Sequence, residues 1–414
     1  MKDGVASRLA PLLTKIMLGE GREAEHELPI QVRAWDGSAA GPPGAPAFVI
    51  RHRRALRRLL WKPGEMGLVR AYVAGELDIE GDVFAALDAV QQVMRSGDRP
   101  IRLRGDDKRD IVRTAVTLGA VGPEPKPPPE EFASGRGTAP LTESAAFFGR
   151  LFGDGLAHGT GLWDQAVDLG EATGAAHRAL AERLGLFTGA RVLDLNAGWG
   201  AFARYAAAEH GARVVALTRT AEQADHLRAL ADEADADLQP RGFDLAEAGA
   251  GPYDAIVGIA GIESLERDTA RLHGLLAPGG RLVLQQPVRR PGPHQIRRTF
   301  TTSYMFPEDG ELRPLGAIVG ELEDAGLEVR AVGALREHHA RTLRAWAANL
   351  QRHWSHCAEL AGTGRARVWL LYLAACALAS ESGRIGMHEI CAIRRDRDGR
   401  AGTTLVEGRA VISR

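Results

Sequence analysis

Apolar and polar positions recur with two different periods along this chain, and each change of period marks an element. IQVRAWDG (30–37) alternates residue by residue and ends in Asp-Gly, the pattern of a strand entering a tight turn. FVIRH (48–52) is a second strand, and the Gly/Pro-rich GSAAGPPGAPA between them is a loop. Past YVAGELDIEGD the period lengthens, and Val83, Leu87 and Val90 fall on one helical face. RVLDL (191–195), RVVALT (213–218), YDAIVGIA (253–260) and GRLVLQQ (280–286) are short, β-rich apolar runs separated by helical stretches. Strands that are apolar on both sides, alternating with helices, predict a parallel sheet covered on both faces.

Between these regions the pattern breaks down. GDRPIRLRGDDKRD is dense in both charges, and VGPEPKPPPEEFASGRGTAP is Pro-rich with no period. The chain therefore divides into a small α+β N-terminal domain over 1–95, a charged and Pro-rich linker over 96–140, and an α/β domain over 141–414. The stretch 121–140 reads as a linker or mobile loop, the alternative being an ordered arm packed on the second domain.

The chain has 414 residues, 52 Lys plus Arg against 53 Asp plus Glu, and a net charge of −1. That balance excludes a basic nucleic-acid coat and an acidic disordered tail. Its 3 cysteines form no C-x-x-C pair, which argues against a disulfide framework and a cysteine zinc site. VWLLYLAACALA (368–379) is the longest apolar candidate, about half of the ~20 residues a membrane span needs, and reads as a buried helix. These features predict a cytoplasmic protein. His353, His356 and Cys357 lie close in sequence, but no third metal ligand accompanies the His-x-x-His turn.

The most informative stretch is RVLDLNAGWGAFARYAA (191–207), in which a strand ends at Asp194 and N-A-G-W-G opens a helix. Small residues at such a turn let backbone amides approach a ligand closely. A dinucleotide site requires G-x-G-x-x-G and an acid at the end of the second strand. Here the spacing is D-x-N-x-G-x-G, and the second strand ends in Thr218 followed by Arg219.

An acid before a small-residue loop with G-x-G behind it resembles motif I of the S-adenosyl-L-methionine (SAM) methyltransferases. LTRTAEQ (217–223), YMFPEDGEL (304–312), TLRAWAANLQRHW (342–354) and the segment 367–395 resemble one branch, the cyclopropane-fatty-acyl-phospholipid synthases. GLVRAYVAGELDIEGD (67–82) resembles the N-terminal domain of its bacterial members. The likeness runs over nearly the whole chain in the same order. It implies a class I SAM-dependent methyltransferase (Rossmann-like) domain with a smaller α+β domain, acting on unsaturated acyl phospholipid at the inner face of a membrane. Methyl transfer to the double bond would leave a carbocation that loses a proton, giving a cyclopropane or a methyl or methylene branch. A homodimer belongs to the same expectation, and nucleic acid does not.

Matched to the family, Asp194, Asn196, Gly198 and Gly200 fall in the SAM loop, and Thr218 and Gln223 fall where the ribose and adenine are contacted. Phe243 or Asp244 borders the adenine, Trp163 falls near the entrance, and Glu263 falls on the active-site glutamate, which helps hold a bicarbonate-like anion serving as base. Several positions depart from the family. Thr160 stands for the pocket cysteine, Gln285 for the active-site histidine, His339 for the catalytic tyrosine and Ser264 for a further histidine. The segment that closes over SAM reads LTESAA (141–146). Three readings follow: an enzyme with a rebuilt pocket in which His339 supplies the base, a non-catalytic homologue that binds lipid or a partner enzyme, and a SAM sensor. An imidazole accepts a proton at neutral pH without a bound anion.

RHRRALRRLLWK (51–62) carries six basic residues and no acid, with Leu56, Leu59 and Leu60 on one helical face. It reads either as a helix lying on an anionic membrane or as one packed on its own domain. VRRPGPHQIRR (288–298) is a basic loop beyond the fifth strand, placed to meet lipid phosphates.

Overall fold

This computed structural model describes residues 4–18, 30–62, 64–95, 113–114, 116–132, 143–234, 236–260, 265–292, 299–306, 312–400, 403–406 and 409–412. The chain forms two compact units, one of residues 1–141, 298–308 and 357–378, the other of 142–297, 309–356 and 379–414. Two stretches that follow the parallel-strand region in sequence thus pack in the first unit.

In the first unit, helix α1 (Val5–Leu18) is followed by β1 (Gln31–Ala34), β2 (Ala39–Ala40), β3 (Ala47–Ile50), α2 (Arg54–Trp61), α3 (Glu65–Val73), β4 (Leu77–Glu80) and α4 (Val83–Arg95). The sheet order is β2-β1-β3-β4. The Gly/Pro stretch after β1 is not all loop, because Ala39 and Ala40 pair back onto Arg33 and Val32. This return lets β3 lie parallel to β1. The basic helix α2 buries Ala55, Leu56 and Leu59, so its apolar face belongs to the core of its own unit. Arg58 is buried with them and paired to Glu76 at 2.8 Å, the way a cation is accommodated in a core.

The Pro-rich stretch is anchored over residues 122–131. The Trp61 indole donates to the Gly122 carbonyl, and Arg58 donates to the Lys126 carbonyl. Glu131 is buried and accepts a two-pronged pair from Arg70 at 2.7 and 2.8 Å and the Tyr304 hydroxyl at 2.9 Å. Tyr304 lies in the short helix Thr299–Tyr304, and its carbonyl accepts from Arg365 of the helix Thr363–Glu381. That last helix holds the apolar run 368–379, in which Val368, Leu373, Ala374 and Ala377 are fully buried. No helix among the described residues is long and apolar enough to cross a membrane.

The second unit is built on seven strands: β5 (Arg191–Asp194), β6 (Arg213–Thr218), β7 (Leu238–Gly242), β8 (Tyr253–Ile259), β9 (Leu276–Arg289), β10 (Leu327–Ala334) and β11 (Ile385–Arg394). Their order is β10-β11-β9-β8-β5-β6-β7. Strands β5 to β9 run parallel, and β11 lies antiparallel between β9 and β10. The four sequence-predicted strands are β5, β6, β8 and β9. Helices α5 (Ala145–Phe152), α6 (Leu169–Leu184), α7 (Ala201–His210), α8 (Ala221–Ala234), α9 (Leu265–Leu275), α10 (Leu315–Asp324) and α11 (Arg336–Arg352) accompany the sheet. The Asp168 carboxylate caps α6 by accepting from the Glu171 N–H, and left-handed Gly185 ends it. One face of the sheet packs Val192, Val257 and Val283 against Leu180, Ala181 and Phe202. The other packs Leu193, Ile256, Leu282 and Leu284 against Leu272, Ile318 and Leu322. The strand order reverses between β5 and β8, so a crevice forms beyond their carboxyl ends.

Glu131→Ala leaves the Arg70 guanidinium and the Tyr304 hydroxyl without their shared acceptor. It is expected to lower stability by about 3 kcal/mol, read from the urea midpoint of the first transition that Tyr and Trp fluorescence reports.

Candidate active site

The turn after β5 is shaped by two glycines in left-handed conformations, Gly198 at φ +56° and Gly200 at φ +82°. A Cβ on Gly198 would stand 2.9 Å from the His158 ring, and one on Gly200 would stand 2.9 Å from Leu227. Only glycine satisfies both the backbone conformation and the close approach. Asn196 ties the crevice together. Its Nδ2 donates to the carbonyls of Ile259 and Ala260 at 2.9 and 2.6 Å, and its Oδ1 accepts from Arg219 Nε at 3.3 Å. The β5 turn is therefore bonded to the end of β8 at the reversal point.

Asp194 lies beneath this turn, 1% exposed, and accepts the Asn196 N–H at 3.2 Å. Burial pushes its pKa up to about 7. Thr218 donates to the Arg241 carbonyl, and Gln223 Oε1 accepts from the Arg219 N–H. Both side chains thus hold the walls of the crevice. Arg219 also lies over the Phe243 ring at 3.8 Å. Asp244 is exposed and accepts from the Ala246 N–H, capping a short 3₁₀ turn.

Three separate pieces of chain meet beside this crevice. The segment 158–163 is held on α11 by Thr342, whose hydroxyl accepts from the Gly161 N–H at 3.1 Å and the Trp163 indole at 2.9 Å and donates to the His338 carbonyl. The Trp163 N–H also donates to His338 Nδ1. This docking puts Thr160 Oγ1 3.0 Å from His339 Nδ1. Burial without a compensating charge pushes the His339 pKa down to about 4, so the imidazole is neutral at pH 7. Thr160, Thr173, His177, Leu180, Ile259 and Gln285 line a small cavity there. The Gln285 amide donates to buried Glu389 at 3.1 Å.

Of the residues expected in the reaction, Thr160, Gln285 and His339 converge on one place. Glu263 lies outside the described residues, as do Ser264, 141–142 of the LTESAA segment and 293–298 of the basic loop. The sequence reading missed Glu389, Thr342, His158 and His177. His158 Nε2 lies 3.3 Å from the Ile259 carbonyl, and His177 packs against Phe202 and Tyr205 with its pKa pushed down to about 4 by burial. An acid within the apolar run MHEICAI was the one visible signal for Glu389.

The family model for mycolic acid cyclopropane synthetases matches residues 142–390. The chain belongs to this family. A probable fatty acid methyltransferase of Mycobacterium tuberculosis is 32% identical to this synthetase-family chain, over 89% of it and 92% of the relative. A probable fatty acid methyltransferase of Pseudomonas putida is 28% identical, over 90% of this chain and 93% of its own. Among solved structures, the M. tuberculosis cyclopropane synthase MmaA2 superposes with a TM-score of 0.55 at 27% identity, covering 60% of this chain and 94% of that one. The fold is accordingly that of the class I SAM-dependent methyltransferases, and this family member is a SAM-dependent enzyme. The glycine-lined turn beyond β5, closed to any Cβ at Gly198 and Gly200, fits such a cofactor.

Gly198→Ala is expected to weaken S-adenosylhomocysteine binding about tenfold or more, since the strained φ and the His158 contact cost about 1–3 kcal/mol. Calorimetric titration measures this, with an unchanged circular dichroism spectrum as control. Buried Asp194 gives a second expectation. A cationic ligand beside it favours the ionised form, so SAM binding releases protons, and its affinity falls as pH drops below about 7. Titrations in two buffers of different ionisation enthalpy report that proton.

Proposed function

We propose that this enzyme transfers a methyl group from SAM to the double bond of an unsaturated fatty-acyl chain carried on a phospholipid. The observation that carries this reading is the Thr160–His339 pair, a proton-accepting relay whose Thr160 lines the cavity and whose His339 stands behind it, 179 residues further along the chain. Asp194, Asn196, Gly198 and Gly200 form the cofactor turn, with Thr218, Gln223 and Asp244 shaping its walls.

When bound, SAM supplies an electrophilic methyl group, and the alkene electrons that take it leave a cation on the acyl chain. The chain's own residues then have two tasks: to remove a proton and to keep water away. Thr160 Oγ1 accepts the proton and passes its own hydrogen to His339 Nδ1. A neutral imidazole of low pKa suffices, because a carbocation is a very strong acid. Leu180 and Ile259 make the apolar part of the wall, which limits access of water to the cation. A bicarbonate-like base does not suit this donor set. Gln285 gives one of its two amide N–H groups to Glu389, the Glu389 carboxylate stands behind it, and His339 is uncharged.

Access to lipid is supported by the surface of the first unit. Leu56 and Leu59 of α2 are buried, but Trp61 at 51% exposure and Val121 at 57% stand out beside the Trp61–Gly122 bond. Arg57 lies against Gly122 and Arg53 against Gly119, adding positive charge around these apolar tips. Such a patch suits the interface of an anionic bilayer.

Thr160→Val and His339→Phe are each expected to lower release of S-adenosylhomocysteine on oleoyl-phospholipid vesicles at least a hundredfold, a typical general-base loss, with Thr160→Ser retaining most of the rate. A neutral relay is present at every pH above about 4, so His339 gives no loss of rate between pH 6 and 9 and a fall only as pH approaches 4. Unchanged turnover in His339→Phe would falsify the relay. In cosedimentation, Trp61→Asp with Val121→Asp is expected to release the protein from phosphatidylglycerol vesicles while leaving S-adenosylhomocysteine binding intact.

A further inference from the structure

The chemistry proposed above places a cation in the cavity, and one cavity-lining group has its orientation set from behind. Gln285 lies on β9 directly opposite Glu389 on β11. Glu389 is 4% exposed, and its two oxygens are held by Arg183 of α6, with Nε at 2.8 Å and Nη1 at 3.4 Å. A buried carboxylate clamped by a guanidinium is ionised and accepts hydrogen bonds only. The Gln285 atom 3.1 Å from Glu389 Oε2 is therefore the amide nitrogen. A neutral amide between two neutral partners has no such constraint.

With its nitrogen so engaged, the amide turns its carbonyl oxygen the other way. A Cβ built on Gly159 would lie 4.0 Å from Gln285 Oε1, and Gly159, Thr160 and Gln285 line the same cavity. The oxygen end of a fixed dipole thus lies beside Gly159 on the wall of this cavity. A dipole already aimed at developing charge costs no reorganisation when the charge appears.

We infer that Glu389, clamped by Arg183, is a positioning residue that holds the Gln285 carbonyl oxygen toward the reacting carbon, so that an amide oxygen stabilises the acyl cation. The inference rests on the proposed acyl methyl transfer. It assigns roles to three residues: Arg183 holds Glu389 in place, Glu389 selects one of two amide orientations, and Gln285 meets the substrate. An inverted amide would present its N–H groups to the cation and oppose it.

The test uses the full chain with SAM and vesicles of dioleoylphosphatidylglycerol. Glu389→Gln removes the constraint, because the new amide donates as readily as it accepts. It is expected to lower kcat about tenfold or more, with KM for SAM and the Kd for S-adenosylhomocysteine changed less than twofold. Exchanging the pair, Gln285→Glu with Glu389→Gln, again puts an oxygen toward the cavity and an N–H between the two side chains. That double variant is expected to recover most of the kcat lost in Glu389→Gln. Wild-type kcat in Glu389→Gln, an equal loss of cofactor affinity, or an exchange variant no better than the single one each overturns the role. A wild-type chain that releases no S-adenosylhomocysteine on these vesicles overturns the proposed function and this role with it. Active wild type with an indifferent Glu389→Gln overturns this role alone.

Discussion

The hydroxyl of Thr342 is the point on which the candidate active site depends. It accepts from a backbone N–H and an indole N–H of the 158–163 segment and donates to a carbonyl of its own helix, which uses its full hydrogen-bonding capacity. The group is fully buried, so none of these bonds is exchanged with water. Through it, a loop far upstream is seated on α11. Thr160 consequently reaches His339, and Gly159 reaches Gln285. A side chain with one acceptor site fewer would leave a buried donor unsatisfied and release the loop.

A second constraint acts on the other side of the crevice. Asn196 bridges the β5 turn, the end of β8 and Arg219. The two sides of the crevice beyond these strands are therefore joined by polar ties, while Val192, Val257 and Val283 carry the apolar packing below it. This division suits a site that must admit a charged cofactor at one end and an apolar chain at the other. Polar groups at the rim are paired with each other, and the cavity wall itself is mostly apolar.

The electrostatics follow from burial more than from ion pairing. Asp194, His177 and His339 all shift toward their neutral forms because desolvation penalises charge. Glu389 is buried behind the cavity and paired with the half-exposed Arg183 at 2.8 Å. A pocket with neutral histidines and one clamped carboxylate behind it favours a transient cation over a resident anion. The family's usual residue types at positions 160, 285 and 339 are changed together, and the changed set still places hydrogen-bonding atoms in mutual reach.

Local pattern was enough to read β5, β6, β8 and β9, the glycine turn and the buried character of the 368–379 helix, because each rests on periodicity or on backbone conformation at neighbouring residues. The family itself was legible for the same reason, since its motifs are contiguous words. The Pro-rich stretch was not legible. Glu131 carries no local sign of the Arg70 and Tyr304 partners that anchor it, one 61 residues earlier and the other 173 later. Nor did sequence show that α2 turns its leucines inward, since an amphipathic helix has the same pattern on a membrane and on a domain. The sequence by itself determined the fold class, the glycine turn after β5 and the residue types available for chemistry. Only the tertiary structure decided which of them meet, because Thr160, Gln285, His339 and Glu389 are joined by a loop docking and a strand register that bring together positions more than a hundred residues apart.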